Sequence, residues 1–161
     1  MKELDLDWYE NMNQTNGRLF GEFFCKLEVL RLDGKDDKLI AGPSVFVEGL
    51  RDLKFLSVSH LFFDNEGQYA GTFERLTELN LHKMPKLMLL WKENSEQGWA
   101  FQILEILTVS ECGRLKNLVP SSMHFRNLNI LSVSKCHGLI SLATSSTVKS
   151  LVQLKRLYIS E

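Results

Sequence analysis

Residues 101–118, FQILEILTVSECGRLKNL, and residues 125–142, FRNLNILSVSKCHGLISL, are two copies of one pattern. Phe101, Leu104, Leu107, Val109, Cys112, Leu115 and Leu118 of the first copy match Phe125, Leu128, Leu131, Val133, Cys136, Leu139 and Leu142 of the second. The opening of this pattern recurs upstream as FCKLEVLRL (24–32), LRDLKFLSV (50–58) and FERLTELNL (73–81), and downstream as LVQLKRLYI (151–159). All six segments read apolar-x-x-Leu-x-x-Leu-x-apolar, led by Phe24, Leu50, Phe73, Phe101, Phe125 and Leu151. Their first leucines, Leu27, Leu53, Leu76, Leu104, Leu128 and Leu154, lie 26, 23, 28, 24 and 26 residues apart. In a chain that is 44% hydrophobic, filling every one of these slots by chance has a probability on the order of 10⁻⁹, so the repeat is real. Met84, Leu87 and Leu90 extend the third copy, whereas the second loses the tail of the pattern after Leu61. Met1, Leu4, Leu6, Tyr9 and Met12 fall on the same slots and make a degenerate N-terminal copy.

The spacing dictates a shape. Leu-x-Leu has period two, so both leucines face one side of a short strand and the intervening residues face the other. A single copy cannot cover its own apolar face. Stacked copies pair their strands in parallel and build one continuous core, to which each buried Leu contributes roughly 1.5–3 kcal/mol. The segments between strands, such as DNEGQYAG (64–71) and KENSEQGWA (92–100), are polar and contain glycine, as return loops should. The expected architecture is therefore an α/β leucine-rich-repeat solenoid, a curved horseshoe segment. Its parallel sheet of short strands lines the concave face, and irregular loops or short helices form the convex face. Residues 1–161 read as one such domain of about six repeats plus the degenerate one. Neither end carries a polar cap of the kind a free-standing solenoid requires, so a piece of a longer array is expected.

Composition narrows the function. Nineteen Lys and Arg nearly balance twenty Asp and Glu, so no net field favours nucleic acid or an anionic membrane. No apolar run approaches a membrane span of roughly 18 residues, and the acidic start MKELDLDWYENMNQ is unlike a signal peptide. Three cysteines, Cys25, Cys112 and Cys136, and a single glycosylation sequon at Asn13-Gln14-Thr15 favour a reducing, cytoplasmic setting. No nucleophile elbow, P-loop, dinucleotide fingerprint or zinc-protease motif occurs, so neither an enzyme nor a bound cofactor is expected.

Several side chains invite a chemical reading. Cys112, His124, Cys136 and His137 are zinc-ligand types, but the cysteines stand one repeat apart, lack C-x-x-C pairing and share their slot with Met84. A core cysteine ladder is expected, its side chains bonding backbone groups left over where each strand ends. Gly113 and Gly138 beside them suit tight backbone. Trp91 follows the inward Leu90 and reads as a lid on the core, while Trp99 closes the same loop. His82 sits on the outward strand face in contact with solvent.

That outward face is the candidate partner-binding surface. Its first column holds Val29, Phe55, Glu78, Ile106, Ile130 and Arg156, and its second holds Arg31, Ser57, Asn80, Thr108, Ser132 and Tyr158. A third runs Asp33, Ser59, His82, Ser110, Ser134 and Ser160. Rows should lie about 4.8 Å apart. Apolar Val29, Phe55, Ile106 and Ile130 at solvent-facing positions, rimmed by polar groups, are how a protein-binding face reads.

The motif F-x-x-L-x-x-L-x-V-x-x-C-x-x-L-x-x-L, with its irregular repeat length, resembles the leucine-rich-repeat region of plant intracellular nucleotide-binding disease-resistance proteins of the coiled-coil class. The resemblance covers essentially the whole chain and is strongest from Phe73 to Ser160; the first two repeats depart after the strand. It implies a sensing and autoinhibitory segment whose partners are a pathogen effector or a guarded host protein, and other domains of the same receptor. ADP or ATP would bind a separate domain. Substrate-binding repeats of an F-box ubiquitin-ligase adaptor are the alternative, but there an Ile-Thr-Asp stretch usually follows the cysteine; in this chain Gly113-Arg114-Leu115 and His137-Gly138-Leu139 do. An extracellular ectodomain would carry Asn at the cysteine slot and many sequons.

Overall fold

The structure, a computed structural model, describes residues 3–7, 26–33, 52–59, 75–85, 87–88, 102–119 and 124–161. Trp91, Trp99, Cys25 and the leading residues Phe24, Leu50, Phe73 and Phe101 lie outside them.

Each apolar alternation forms a five-residue strand. In chain order these are β1 (Glu3–Asp7), β2 (Val29–Asp33), β3 (Phe55–Ser59), β4 (Glu78–His82), β5 (Ile106–Ser110), β6 (Ile130–Ser134) and β7 (Arg156–Ser160). They make one seven-stranded sheet in sequence order, every pair parallel. The register puts like slots side by side: Leu4, Leu30, Leu56, Leu79, Leu107, Leu131 and Leu157 form one row across the sheet. The expected leucine-rich-repeat solenoid is thus the fold of the chain.

The core is a set of ladders along the stack. Leu27, Leu53, Leu76, Leu104 and Leu128 are buried, as are Leu30, Leu56, Leu79, Leu107 and Leu131. Leu81, Val109 and Val133 form a third inward column, and Met84, Cys112, Leu87, Leu115 and Leu118 carry the core beyond the strands. Phe125, the one described Phe of the leading slot, is fully buried among them.

Backbone polarity is satisfied by the same stacking. At the entrances of β3 to β7 two successive N–H groups donate to one carbonyl of the preceding coil, as with Lys54 and Phe55 to Glu28, Glu105 and Ile106 to Thr77, and Asn129 and Ile130 to Glu105. At the exits the direction reverses. Lys83, Glu111 and Lys135 donate to Ser110, Ser134 and Ser160 of the following strand at 2.9–3.0 Å. These three non-glycine residues adopt left-handed backbone, with φ of 48°, 54° and 51°, a conformation that costs an L-residue roughly 1–2 kcal/mol. The turn sends the next side chain, Met84 or Cys112, into the core. A tight turn then follows β4, β5 and β6, with Leu87, Leu115 and Leu139 donating to Met84, Cys112 and Cys136.

The return side carries two features. Met88, Lys116 and Ile140 form a short second ladder, with Lys116 N–H to Met88 O at 3.0 Å and Ile140 N–H to Lys116 O at 2.8 Å. Among the described residues one helix, α1 (Ser145–Ser150), lies between β6 and β7 and is capped by Thr144, whose hydroxyl accepts from Thr147 N–H. Ser150 Oγ accepts from Phe125 N–H at 3.3 Å, tying α1 to the entrance of the β6 coil.

Candidate protein-binding face

Because strand side chains alternate, the outward residues of the seven strands form columns on the face opposite the core. The first column runs Glu3, Val29, Phe55, Glu78, Ile106, Ile130 and Arg156. The second runs through Arg31, Ser57, Asn80, Thr108, Ser132 and Tyr158. All the sequence-predicted face residues therefore share one surface. Val29, Phe55, Glu78, Ile106 and Ile130 are half-buried, Ser57, Asn80, His82, Thr108 and Ser132 likewise, and Arg31, Arg156 and Tyr158 are exposed.

The apolar strip is not continuous. Val29 neighbours Phe55 and Ile106 neighbours Ile130, but Glu78 separates the two pairs. The N-terminal pair is also partly capped: the Arg31 guanidinium lies over the Phe55 ring, 4.9 Å from its centroid, and pairs with Glu3. A cation on an aromatic face contributes about 0.5–1 kcal/mol at an exposed site. Sequence reasoning does not single out Glu3, although its alternation in ELDLD carries the signal. In the middle of the face Asn80 donates to Glu78 at 3.0 Å. His82 is more constrained than a freely solvated side chain, its Nδ1 lying 2.7 Å from Ser110 Oγ on the next strand. At the rim, Lys54–Glu28 and Arg75–Asp52 pair between successive coils at 2.9 and 3.0 Å. Such exposed pairs are worth little.

The cysteines belong to the core. Cys112 is fully buried and donates to Ser110 O at 3.4 Å; Cys136, half-buried, contacts Ser134 O at 3.3 Å and Val109 O at 3.8 Å. Burial pushes the Cys112 thiol up to about 11, with the Cys136 sulfur beside it acting in the same direction. His124 and His137 are exposed, and among the described residues no three His, Cys, Asp or Glu side chains form a group able to hold a metal. The two glycines differ. A Cβ on Gly138 would stand 2.3 Å from Gly113 O, whereas one on Gly113 would meet nothing within 4 Å. Close packing between the two coils therefore requires glycine at 138, whereas Gly113 lies in the tight turn closed by Leu115 N–H to Cys112 O and has open space where a side chain would stand.

A parallel sheet of equal short strands in sequence order and an inward Leu ladder that repeats from coil to coil together define a leucine-rich-repeat protein. A family model described as plant disease resistance protein RPS2-like, leucine-rich repeats, matches residues 1–124. The chain belongs to that family of plant disease-resistance repeat regions. The match includes the coils of β2 and β3, whose pattern departs after the strand, and ends before the β6 coil. No match was found among curated proteins or among solved structures. Among the described residues no helix is long and apolar enough to cross a membrane.

Proposed function

We propose that this chain is the recognition segment of a cytoplasmic plant immune receptor of the nucleotide-binding, coiled-coil class. Its concave face binds a pathogen effector or a modified host protein and, in the resting receptor, helps hold the other domains inactive. It acts by binding rather than catalysis and carries no cofactor, the nucleotide being held by a separate domain. The observation that supports this reading is the set of half-buried apolar residues, Val29, Phe55, Ile106 and Ile130, on the solvent side of the sheet. Desolvating such groups rewards a protein partner.

Replacing Phe55, Ile106 and Ile130 together with Asp in the full-length receptor is expected to abolish ligand recognition while leaving the solenoid folded, since all three side chains already reach solvent. Unchanged recognition in a folded triple variant would remove this face from consideration.

A further inference from the structure

Several ion pairs between coils follow one rule: an acid on one coil is answered by a base at the same slot of the next. Glu28 meets Lys54, Asp52 meets Arg75 and Glu111 meets Lys135, at 2.9, 3.0 and 3.5 Å. Two acids, on β4 and at the entrance of β5, break the rule. The slot of Glu78 holds Ile106 in the next coil, and that of Glu105 holds Asn129. Neither carboxylate has an ion pair among the described residues. Glu78 accepts a hydrogen bond from Asn80, which leaves its charge intact, and Glu105 is exposed. Lys54, one strand before Glu78, is held by Glu28 on its other side. Asn129 stands between Glu105 and Lys155, which is two rows, about 10 Å, away.

These acids border the apolar part of the outward face. Glu78 lies beside Ile106 in the register, Glu105 precedes Ile106 in the chain, and Ile130 lies one row further on. Two carboxylates and two isoleucines therefore fall within about 10 Å of one another. Glu78, Ile106 and Ile130 are half-buried, and a partly desolvated carboxylate attracts a cation more strongly than a fully hydrated one, because the effective dielectric is lower. The strands β4, β5 and β6 are each paired on both edges, so neighbouring coils on either side set this arrangement. Nothing similar surrounds the Val29 and Phe55 pair, where Arg31 lies over the Phe55 ring and pairs with Glu3.

Resting on the concave-face reading above, we propose that this patch takes a basic, aliphatic-bearing segment of a partner protein. A Lys or Arg of the partner supplies to Glu78 and Glu105 the base that the next coil lacks, and an aliphatic side chain sits on Ile106 and Ile130. Glu78 and Ile130 are two rows apart, about 10 Å, which an extended segment spans in about three residues. The partner's basic and aliphatic residues therefore lie within about three positions of each other. Thr108 and Ser132, beside the isoleucines on the same face, can bond its backbone. A bare polycation would satisfy the carboxylates and leave the isoleucines wet, so a purely basic tail fits less well.

The test measures fluorescence anisotropy of labelled peptides with the full chain. The probes are a peptide mixing Lys with Leu and Val, its Asp-for-Lys counterpart and polylysine of equal length. The first should bind, with affinity falling as salt rises, and should weaken about tenfold on Glu105→Lys and on Ile130→Ser. Glu78→Gln, which keeps an acceptor for Asn80, should weaken it about fivefold. Glu28→Gln should change affinity by less than about twofold, because Glu28 is already paired and lies three rows from Glu105, beyond a Debye length. The Asp peptide should not bind. Equal binding by polylysine, indifference to Glu105→Lys or Ile130→Ser, an equal loss on Glu28→Gln, or no binding of the mixed peptide would overturn the proposal. Glu105 is exposed, so Glu105→Lys should melt as the parent does, and a variant with an altered melt would be replaced by Glu105→Gln, for which a smaller loss is required. If the triple Asp variant loses recognition in the receptor while the basic peptide shows no preference, the face stands and only this partner chemistry falls.

Discussion

Two successive coils, entered at Leu104 and Leu128, have nearly the same sequence and unequal surroundings. Cys112, Leu115 and Leu118 lie between coils and are buried, whereas Cys136, Leu139 and Leu142 are only partly buried against the core. Gly113 has room for a side chain, and Gly138 is pressed against the backbone of Gly113 itself. In a stack where each coil touches only its neighbours, a residue's energetic weight is set by what lies above and below it more than by its type.

The second leucine of the strand gives the largest contrast. Leu107 is 0% exposed, Leu131 1% and Leu157 49%. Truncation to Ala should cost about 2–5 kcal/mol at Leu107 and Leu131 and well under half of that at Leu157, as read by urea denaturation of the three variants. Equal losses would mean that neighbouring coils do not set the weight of the slot. Leu107→Asp goes further and should unfold the adjoining coils, because an unpaired buried charge costs several kcal/mol.

The glycines sharpen the comparison at smaller scale. Gly138→Ala forces a Cβ against a carbonyl and should destabilise by about 1–3 kcal/mol, the usual range for overpacking. Gly113→Ala should change stability by no more than about 0.5 kcal/mol, as at an open surface site. A reversed order in thermal melts of the pair would show that the two coils do not meet at Gly138.

The thiols provide the mildest probe. Cys112 has its folded-state value raised from 9.0 to about 11, mainly by burial. The unfolded chain therefore ionises this thiol first. The stabilisation is fully present below pH 9 and is lost as pH rises from 9 through about 11, at up to about 1.4 kcal/mol per pH unit. Cys112→Ala should flatten that part of the stability profile. At pH 8 a thiol reagent should modify half-buried Cys136 well before Cys112; simultaneous labelling in the folded protein would contradict the difference in burial.

Much of the sheet was legible in the sequence, because Leu-x-Leu alternation fixes both the strand and its inward face. Even the degenerate start, with Leu4 and Leu6, pairs with Leu30 and Leu32 as its slots imply. The columns of the outward face followed from the same register. What the sequence did not disclose depends on a neighbouring coil. Lys83, Glu111 and Lys135 carry no sign of left-handed backbone, since nothing in Lys or Glu asks for it; the demand comes from the carbonyls of Ser110, Ser134 and Ser160 one strand away. The ladder through Met88, Lys116 and Ile140 joins residues of unlike type and so left no periodic trace. Arg31 reads as an isolated polar residue until β1 brings Glu3 and β3 brings Phe55 to either side of it.

The strands align without stagger, although the first leucines that precede them are separated by 23 to 28 residues. Differences in length are absorbed entirely outside the sheet, and each strand resets the alignment for the next. Such a chain can gain or lose whole coils by unequal recombination, or accept insertions in its returns, without shifting any surviving row. The face can thus be rewritten one rung at a time during descent while its scaffold stays in phase.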